Sequence, residues 1–264
     1  MVDRDRAPEI DPMNLQRNKE HKAMEIGFLI NNLRDFLLNS EVKDCIAKVV
    51  LFGSHAKGQA SADSDIDVLV LTTENGEAGQ VVMDKVYDFI LDYNVPLEVL
   101  VADIDSFYLH RDYFTYNVLR YGLEIYSMDK NEIKTAMLGK LRDLAEEYHE
   151  SAQEVLDNGR IRLAVDAAYN AAELAAKGLI LCKQDDLPGS HGGIVARFGQ
   201  LYVKTEELDK SIGRELNRTL QLRNVARYKP DSLLERQDAE GVLKLARDLI
   251  TLLYEKIDVD YKNS

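Results

Sequence analysis

Two aspartates separated only by Ile66, Asp65 and Asp67, open an apolar run, and Gly53-Ser54 closes another run, with Ser54 eleven residues before Asp65. Strand side chains alternate between faces, so Asp65 and Asp67 project the same way while Ile66 and Val68 face the opposite layer. Two carboxylates so close repel unless a cation lies between them, and a hard divalent ion with oxygen ligands, Mg²⁺ first, answers that need. Gly53 lets the backbone approach a phosphate, and exposed N–H groups with the Ser54 hydroxyl can meet its charge. Singly, Asp-x-Asp reads as a loop cap and Gly-Ser as a turn. In strand-loop-strand order they point to chemistry on a nucleoside triphosphate. Glu98 is the one acid in the run Val95-Pro-Leu-Glu-Val-Leu-Val101. It is either a third metal ligand or an edge-strand glutamate facing water, as Pro96 permits. The clustering of such acids at sites favours the ligand reading.

The elements that must hold these residues follow from hydrophobic periodicity. A helix over 23–38 precedes strands at 47–52 and 66–72, a helix at 78–93, a strand at 97–101, a short helix at 112–120 stopped by Gly122, and a strand at 123–127. Beyond Asp129 the spacing is helical throughout, over 130–157, 161–183, 192–203, 208–228 and 236–257, with breaks at Asn158-Gly159, Pro188-Gly189 and Pro230. The fold class expected is an α+β lobe with a small mixed β-sheet over 21–127, followed by an all-α helical bundle over 128–264. Residues 1–20, polar and carrying Pro8 and Pro12, read as a flexible arm.

Gly53-Ser54, the step to Asp65-Ile-Asp67 and the later Glu98 resemble the signature of the DNA polymerase beta-like nucleotidyltransferase superfamily. The wording Gly-Ser-x-Ala-Lys-Gly-x-Ala…Ser-Asp-Ile-Asp is similar to its minimal nucleotidyltransferase branch, with Lys57 where many members carry Arg, a change that keeps charge but loses the bidentate fork. The resemblance implies transfer of a nucleoside monophosphate, AMP from ATP first, with two Mg²⁺ ions (or Mn²⁺) at Asp65, Asp67 and Glu98. Glu98 would also help activate the acceptor hydroxyl. Gly53 and Ser54 would hold the β- and γ-phosphates, with Lys57 and Ser64 completing the nucleotide site.

The second half has its own resemblance. Ala164-Val-Asp-Ala-Ala-Tyr169-Asn-Ala-Ala-Glu173-Leu-Ala-Ala-Lys177, Ser190-His191-Gly-Gly and Leu222-Arg223-Asn224-Val-Ala-Arg227-Tyr228 are similar to the HEPN domain (higher eukaryotes and prokaryotes nucleotide-binding). Nuclease members carry Arg-x-x-x-x-His, whereas the step from Arg223 reaches Tyr228, so general acid–base help at a 2′-hydroxyl is missing and ribonuclease activity is disfavoured. Arg223 either binds phosphate or pairs with Asp166 or Glu173 between helices. Tyr228 is a packing aromatic or, as the family's partner chains suggest, an acceptor hydroxyl. His191 reads as a capping or packing residue at a helix start, and Tyr169 with the Ala168–Ala176 stripe as a close helix contact that could be a dimer seam.

Charge bounds the partners. Residues 1–127 hold 12 Lys and Arg against 22 Asp and Glu, residues 128–264 hold 21 against 24, and the net charge is −13. An acidic catalytic half does not suit a templated polymerase, because affinity for nucleic acid rests on basic side chains. The chain contains neither a Walker sequence nor Asp-Phe-Gly. It has no apolar run long enough for a membrane helix and a polar N-terminus, so a cytoplasmic protein is expected. Cys45 and Cys182 match no metal pattern. The function expected is nucleotidyl transfer to a hydroxyl on a small molecule, a protein tyrosine or an RNA end, with the helical half recruiting acceptor or partner, and with a homodimer through that half. The alternative is a non-catalytic, antitoxin-like nucleotide-binding regulator.

Overall fold

The computed structural model describes residues 26–61, 64–74, 76–105 and 113–263, with backbone alone at 116 and 259–263. The expected arm, and the start of the helix expected from residue 23, lie outside the described residues. The chain divides into two compact units, one running to Ile104 and resuming up to Met128, the other comprising Asp105 and the chain from Asp129 onward.

In the first unit, strands β1 (Ile46–Phe52), β2 (Ile66–Thr72), β3 (Leu97–Asp103) and β4 (Leu123–Ser127) form one sheet in the order β3-β2-β1-β4. β1 pairs antiparallel with β2 and β4, and β2 pairs parallel with β3, so the sheet is mixed. Helices α1 (26–38) and α3 (Glu77–Tyr93) cover one face. Ile30, Leu33 and Leu37 of α1 and Val82, Val86 and Phe89 of α3 pack there with Val49, Leu51, Val68, Val70 and Val99. The two-residue alternation of strands therefore assigns Phe52, Asp67 and Glu98 to the opposite face. Between β1 and β2 the sequence reading had only a loop, but the chain first makes one helical turn, α2 (Gly53–Ala56). Gly53 enters it at φ +70° and Gly58 leaves it at φ +66°, values that glycine adopts without steric cost. Helix α4 (Tyr113–Tyr121) then leads into β4. Its stop at Gly122 is steric, since a Cβ there would lie 2.5 Å from the Val118 carbonyl oxygen and 2.6 Å from a Val50 methyl.

The second unit comprises helices α5 (Lys130–Asp157), α6 (Ile161–Lys183), α7 (His191–Phe198), α8 (Lys210–Tyr228) and α9 (Arg236–Asn263). Side chains of Asp129, Ser190 and Asp209 cap the N-termini of α5, α7 and α8 by accepting from Asn131, Gly193 and Ser211 N–H groups. α6 is central and Ala164, Ala168, Ala171, Ala172, Ala175 and Ala176 are all fully buried, so this stripe packs inside the chain and leaves no surface for a dimer seam. The helix expected over 192–203 is α-helical only to Phe198 and widens to a π turn over Gly199–Val203. There Tyr202 stacks on Phe198 and donates from its buried hydroxyl to the Leu179 carbonyl at 2.6 Å. Among the described residues no helix is long and apolar enough to cross a membrane.

Candidate functional site

The strand register pairs two of the expected residues, Asp67 and Glu98, and sets Asp67 beside the strand end that precedes a third, Gly53. Phe52 of β1 is the pair partner of Asp67 on β2, and Asp67 is the pair partner of Glu98 on β3. Gly53 follows Phe52 and presses against Asp67: a Cβ on Gly53 would lie 1.9 Å from Asp67 Oδ2. The positive φ and the missing Cβ are thus both required for the Asp67 carboxylate to occupy its position. Asp67 is half-buried, whereas Asp65, just before β2, and Glu98, on the edge strand, are exposed. Among the described residues no side chain caps the N-terminus of α2.

Two other residues expected at the nucleotide site are Lys57 and Ser64. Lys57 is exposed on the turn after α2. The Ser64 hydroxyl accepts from the Ser61 N–H at 2.8 Å and lies 3.0 Å from the Ser61 hydroxyl, while the Ser64 carbonyl meets His55 Nε2 at 3.2 Å. Ser64 therefore shapes the loop that delivers Asp65.

Asp65, Asp67 and Glu98 offer the oxygen donors that a hard divalent cation takes, on adjoining strands and, for Asp67 and Glu98, in direct register. Among the described residues no three His, Cys, Asp or Glu side chains converge closely enough to hold an ion by themselves.

A cleft of about 600 Å³ lies beside Gly53, lined by Phe52, Ala56, Lys57, Tyr113, Phe114 and Tyr121 among others. This volume falls within the roughly 300–1,000 Å³ of small-molecule sites. Phe52 and Phe114 meet edge to face at 5.6 Å, and Tyr113, Phe114 and Tyr121 are exposed despite their size. Aromatic walls open to water suit a flat ring. Nothing in the sequence joined Phe52 to α4; only the strand order brings them together.

The Polymerase beta, Nucleotidyltransferase family matches residues 31–131, and the HEPN domain family matches residues 139–257. A putative protein adenylyltransferase of Methanocaldococcus jannaschii is 33% identical over 94 residues, covering 34% of this chain and 87% of that protein. A putative toxin of the same organism is 32% identical over 103 residues, covering 39% of this chain and 75% of that one. The chain belongs to the polymerase beta nucleotidyltransferase family and carries a HEPN domain. Among solved structures, spectinomycin adenyltransferase AAD(9) from Enterococcus faecialis, with ATP and spectinomycin, matches with a TM-score of 0.31 and 14% identity over 84% of this chain and 98% of that one.

In the HEPN half, Arg223 is buried and Tyr228 exposed, and the Arg223 guanidinium lies 5.8 Å from the Tyr228 ring centroid. Of the two carboxylates expected beside Arg223, Asp166 or Glu173, Asp166 forms a loose ion pair with it at 3.9 Å while taking a two-pronged bond from Arg227, at 2.5 and 2.9 Å. Glu173 is buried among Tyr169, Lys177 and His191. Burial pushes its carboxyl upward, but Lys177 and the hydrogen bonds from Tyr169 and His191 outweigh burial and hold it below the usual carboxylate range. Burial and the Glu173 hydrogen bond push the Tyr169 phenol far above its ordinary value. His191, expected as a capping or packing residue, packs edge-on against Tyr169 in this cluster, while Ser190 does the capping.

Proposed function

We propose that the nucleotidyltransferase half transfers AMP from ATP to a hydroxyl on a protein side chain. The observation that carries this reading is the seating of Asp67 against the Cβ-less Gly53, with Glu98 its register partner. The N–H groups of α2 and the Ser54 hydroxyl receive the β- and γ-phosphates, and Lys57 adds a cation at the mouth of the aromatic cleft, which receives the adenine. Asp65, Asp67 and Glu98 would hold two divalent cations, Mg²⁺ or Mn²⁺, which when bound neutralise charge developing on the entering and leaving oxygens. Glu98, exposed beside Asp67, takes the proton of the acceptor hydroxyl. The acceptor oxygen bonds to the α-phosphorus and the bond to pyrophosphate breaks. The acidic character of this half disfavours an RNA acceptor, and relatives named as putative protein adenylyltransferases support a protein one.

The test is incubation of the full chain with ATP labelled on the α-phosphate, Mg²⁺ and separated protein, RNA and small-molecule fractions of a cell extract, beside an Asp65→Ala/Asp67→Ala control. Label in protein, lost in the control, is the expected result. Label in RNA or a small molecule would reassign the acceptor. Nucleotide binding without pyrophosphate release in any fraction would refute transfer and leave an antitoxin-like regulator.

A further inference from the structure

The two edges of the sheet differ in how they are protected. β4, at one edge, has five residues, and its register against β1 shifts between Val49 and Val50. β3, at the other, has seven residues, pairs with β2 without a break from Leu97 to Asp103, and contains neither lysine nor proline. Short length, bulges, lysine and proline are the usual means of keeping an edge from pairing with another chain. β4 uses two of them, whereas β3 has only Pro96 ahead of its first residue.

The β2–β3 ladder determines which backbone groups of β3 face outward. The Ile66 N–H donates to the Pro96 carbonyl and the Ile104 N–H to the Thr72 carbonyl, each at 3.0 Å. Alternate residues of a paired strand turn N–H and C=O toward the same neighbour, so Glu98, Leu100 and Ala102 face β2. Leu97, Val99 and Val101 are turned the other way. The Leu97 N–H is taken by the Val95 carbonyl at 3.0 Å. The Leu97 carbonyl and both backbone groups of Val99 and Val101 have no hydrogen-bond partner among the described residues. Donors and acceptors repeating every second residue, roughly 6.6 Å apart, are the complement of another extended strand.

Side chains say what that strand would meet. Val99 packs in the core with residues of α1 and α3, so Glu98 and Leu100 share the opposite face, and both are exposed. A residue paired with Glu98 would have its Cβ about 5 Å from the Glu98 Cβ, and the residue two positions along would face Leu100. Glu98 is in turn the register partner of Asp67.

We propose that the outer edge of β3 receives an extended segment of the acceptor protein as an added strand, with its hydroxyl-bearing residue opposite Glu98 and an apolar residue opposite Leu100. This rests on the reading of the first unit as a protein-modifying nucleotidyltransferase and adds the form of its substrate. Main-chain pairing supplies affinity, and the positions facing Glu98 and Leu100 supply selection, as in other strand additions to sheet edges. Antiparallel addition puts the apolar residue two before the hydroxyl, and parallel addition puts it two after.

The experiment measures, by fluorescence anisotropy without ATP or metal, binding to the full chain of a labelled octapeptide of alternating valine and threonine with one central valine replaced by tyrosine. Saturable binding is expected, weakened about fivefold or more in Val101→Pro, which removes an outward N–H and no bond to β2. Lysine in place of the valine two before or two after the tyrosine should weaken binding on one side only, and that side gives the direction of the added strand. Peptides N-methylated at every second residue should lose binding in one phase and keep it in the other, because only alternate N–H groups face β3. These peptides decide the matter on the natural chain if Val101→Pro does not fold. No saturable binding, equal loss in both phases, or unchanged affinity in folded Val101→Pro would overturn the proposal. A dimer of the chain that Val101→Pro dissociates would also overturn it, since a second copy would then occupy the edge. Labelling of the peptide from ATP is scored separately. Bound but unlabelled peptide counts against transfer alone, and labelled peptide with equal loss in both phases counts against the added strand alone.

Discussion

Replacing Gly53 with alanine tests whether Asp67 owes its position to a missing Cβ. The new methyl carbon would stand 1.9 Å from Asp67 Oδ2 and 2.8 Å from its Cγ, distances at which one of the two groups must move. The backbone at φ +70° adds a cost of roughly 1–2 kcal/mol for a residue with a side chain. The carboxylate, not the strand, is the part able to yield, since β2 is buried on both faces. Stability should therefore fall modestly, with Tm lower by about 2–8 °C for a chain of this size. Displacing a reacting-site group by about 1 Å can cost about 100-fold in rate, so pyrophosphate release should fall far more than stability does. A double-mutant cycle separates the two terms. In Gly53→Ala/Asp67→Ala the clash partner is gone, and the double mutant should be more stable than the two single losses added together. Urea denaturation of the four proteins measures the coupling, and labelled-ATP turnover measures the rate. Additive stabilities with near-native turnover in Gly53→Ala would refute the reasoning.

Further perturbations probe other parts of the molecule. Phe114→Ala should raise KM for ATP about 5- to 150-fold, as loss of roughly 1–3 kcal/mol of base stacking implies, and leave the fold intact by circular dichroism; an unchanged KM would remove the adenine from the cleft. A Cβ on Gly178 would lie 2.7 and 2.9 Å from the Leu253 methyls, where α6 meets α9, so Gly178→Ala should cost about 1–3 kcal/mol in urea unfolding and Leu253→Ala in the same background should relieve part of the clash. Burial, then the nearby Arg247, hold the His149 imidazole below its ordinary value. The unfolded chain therefore takes up a proton that the native state refuses, and stability, full above about pH 6.5, is lost progressively as pH falls below that value toward the lower native one. Melting at pH 7.5 and 5.5, above the carboxylate range, should show the loss in the natural chain and a smaller one in His149→Gln.

The elements were legible because their signal is local. Alternation and apolar runs identify β1 to β4 to within one or two residues, and 3.6-residue spacing does the same for α3, α5 and α6. α2 was not legible, because four residues are too few for a period and its direction depends on the positive φ of Gly53. The π widening at Gly199–Val203 has no periodic signature either. It follows from where Tyr202 must reach, the Leu179 carbonyl on another helix.

Candidate chemistry divides along the same line. Gly53, Ser54, Asp65 and Asp67 are close in sequence, and their spacing alone suggested a phosphate beside paired acids. Whether Glu98 belonged with them was open, since an exposed acid on an edge strand needs no explanation; its parallel pairing with Asp67 is the fact that periodicity cannot supply. Glu173, His191 and Arg223 come from three helices, with 18 residues between the first two and 32 between the last two. Each alone reads as packing or capping. The available signal was Tyr169, Glu173 and Lys177 at four-residue spacing on the otherwise alanine-rich α6. A polar line on a helix that must be buried demands partners from other helices. Glu173 finds enough of them to remain ionised. Arg223 finds Asn224, His191 and, at 3.9 Å, Asp166, one neighbour in sequence and two from other helices that no periodicity brings to it.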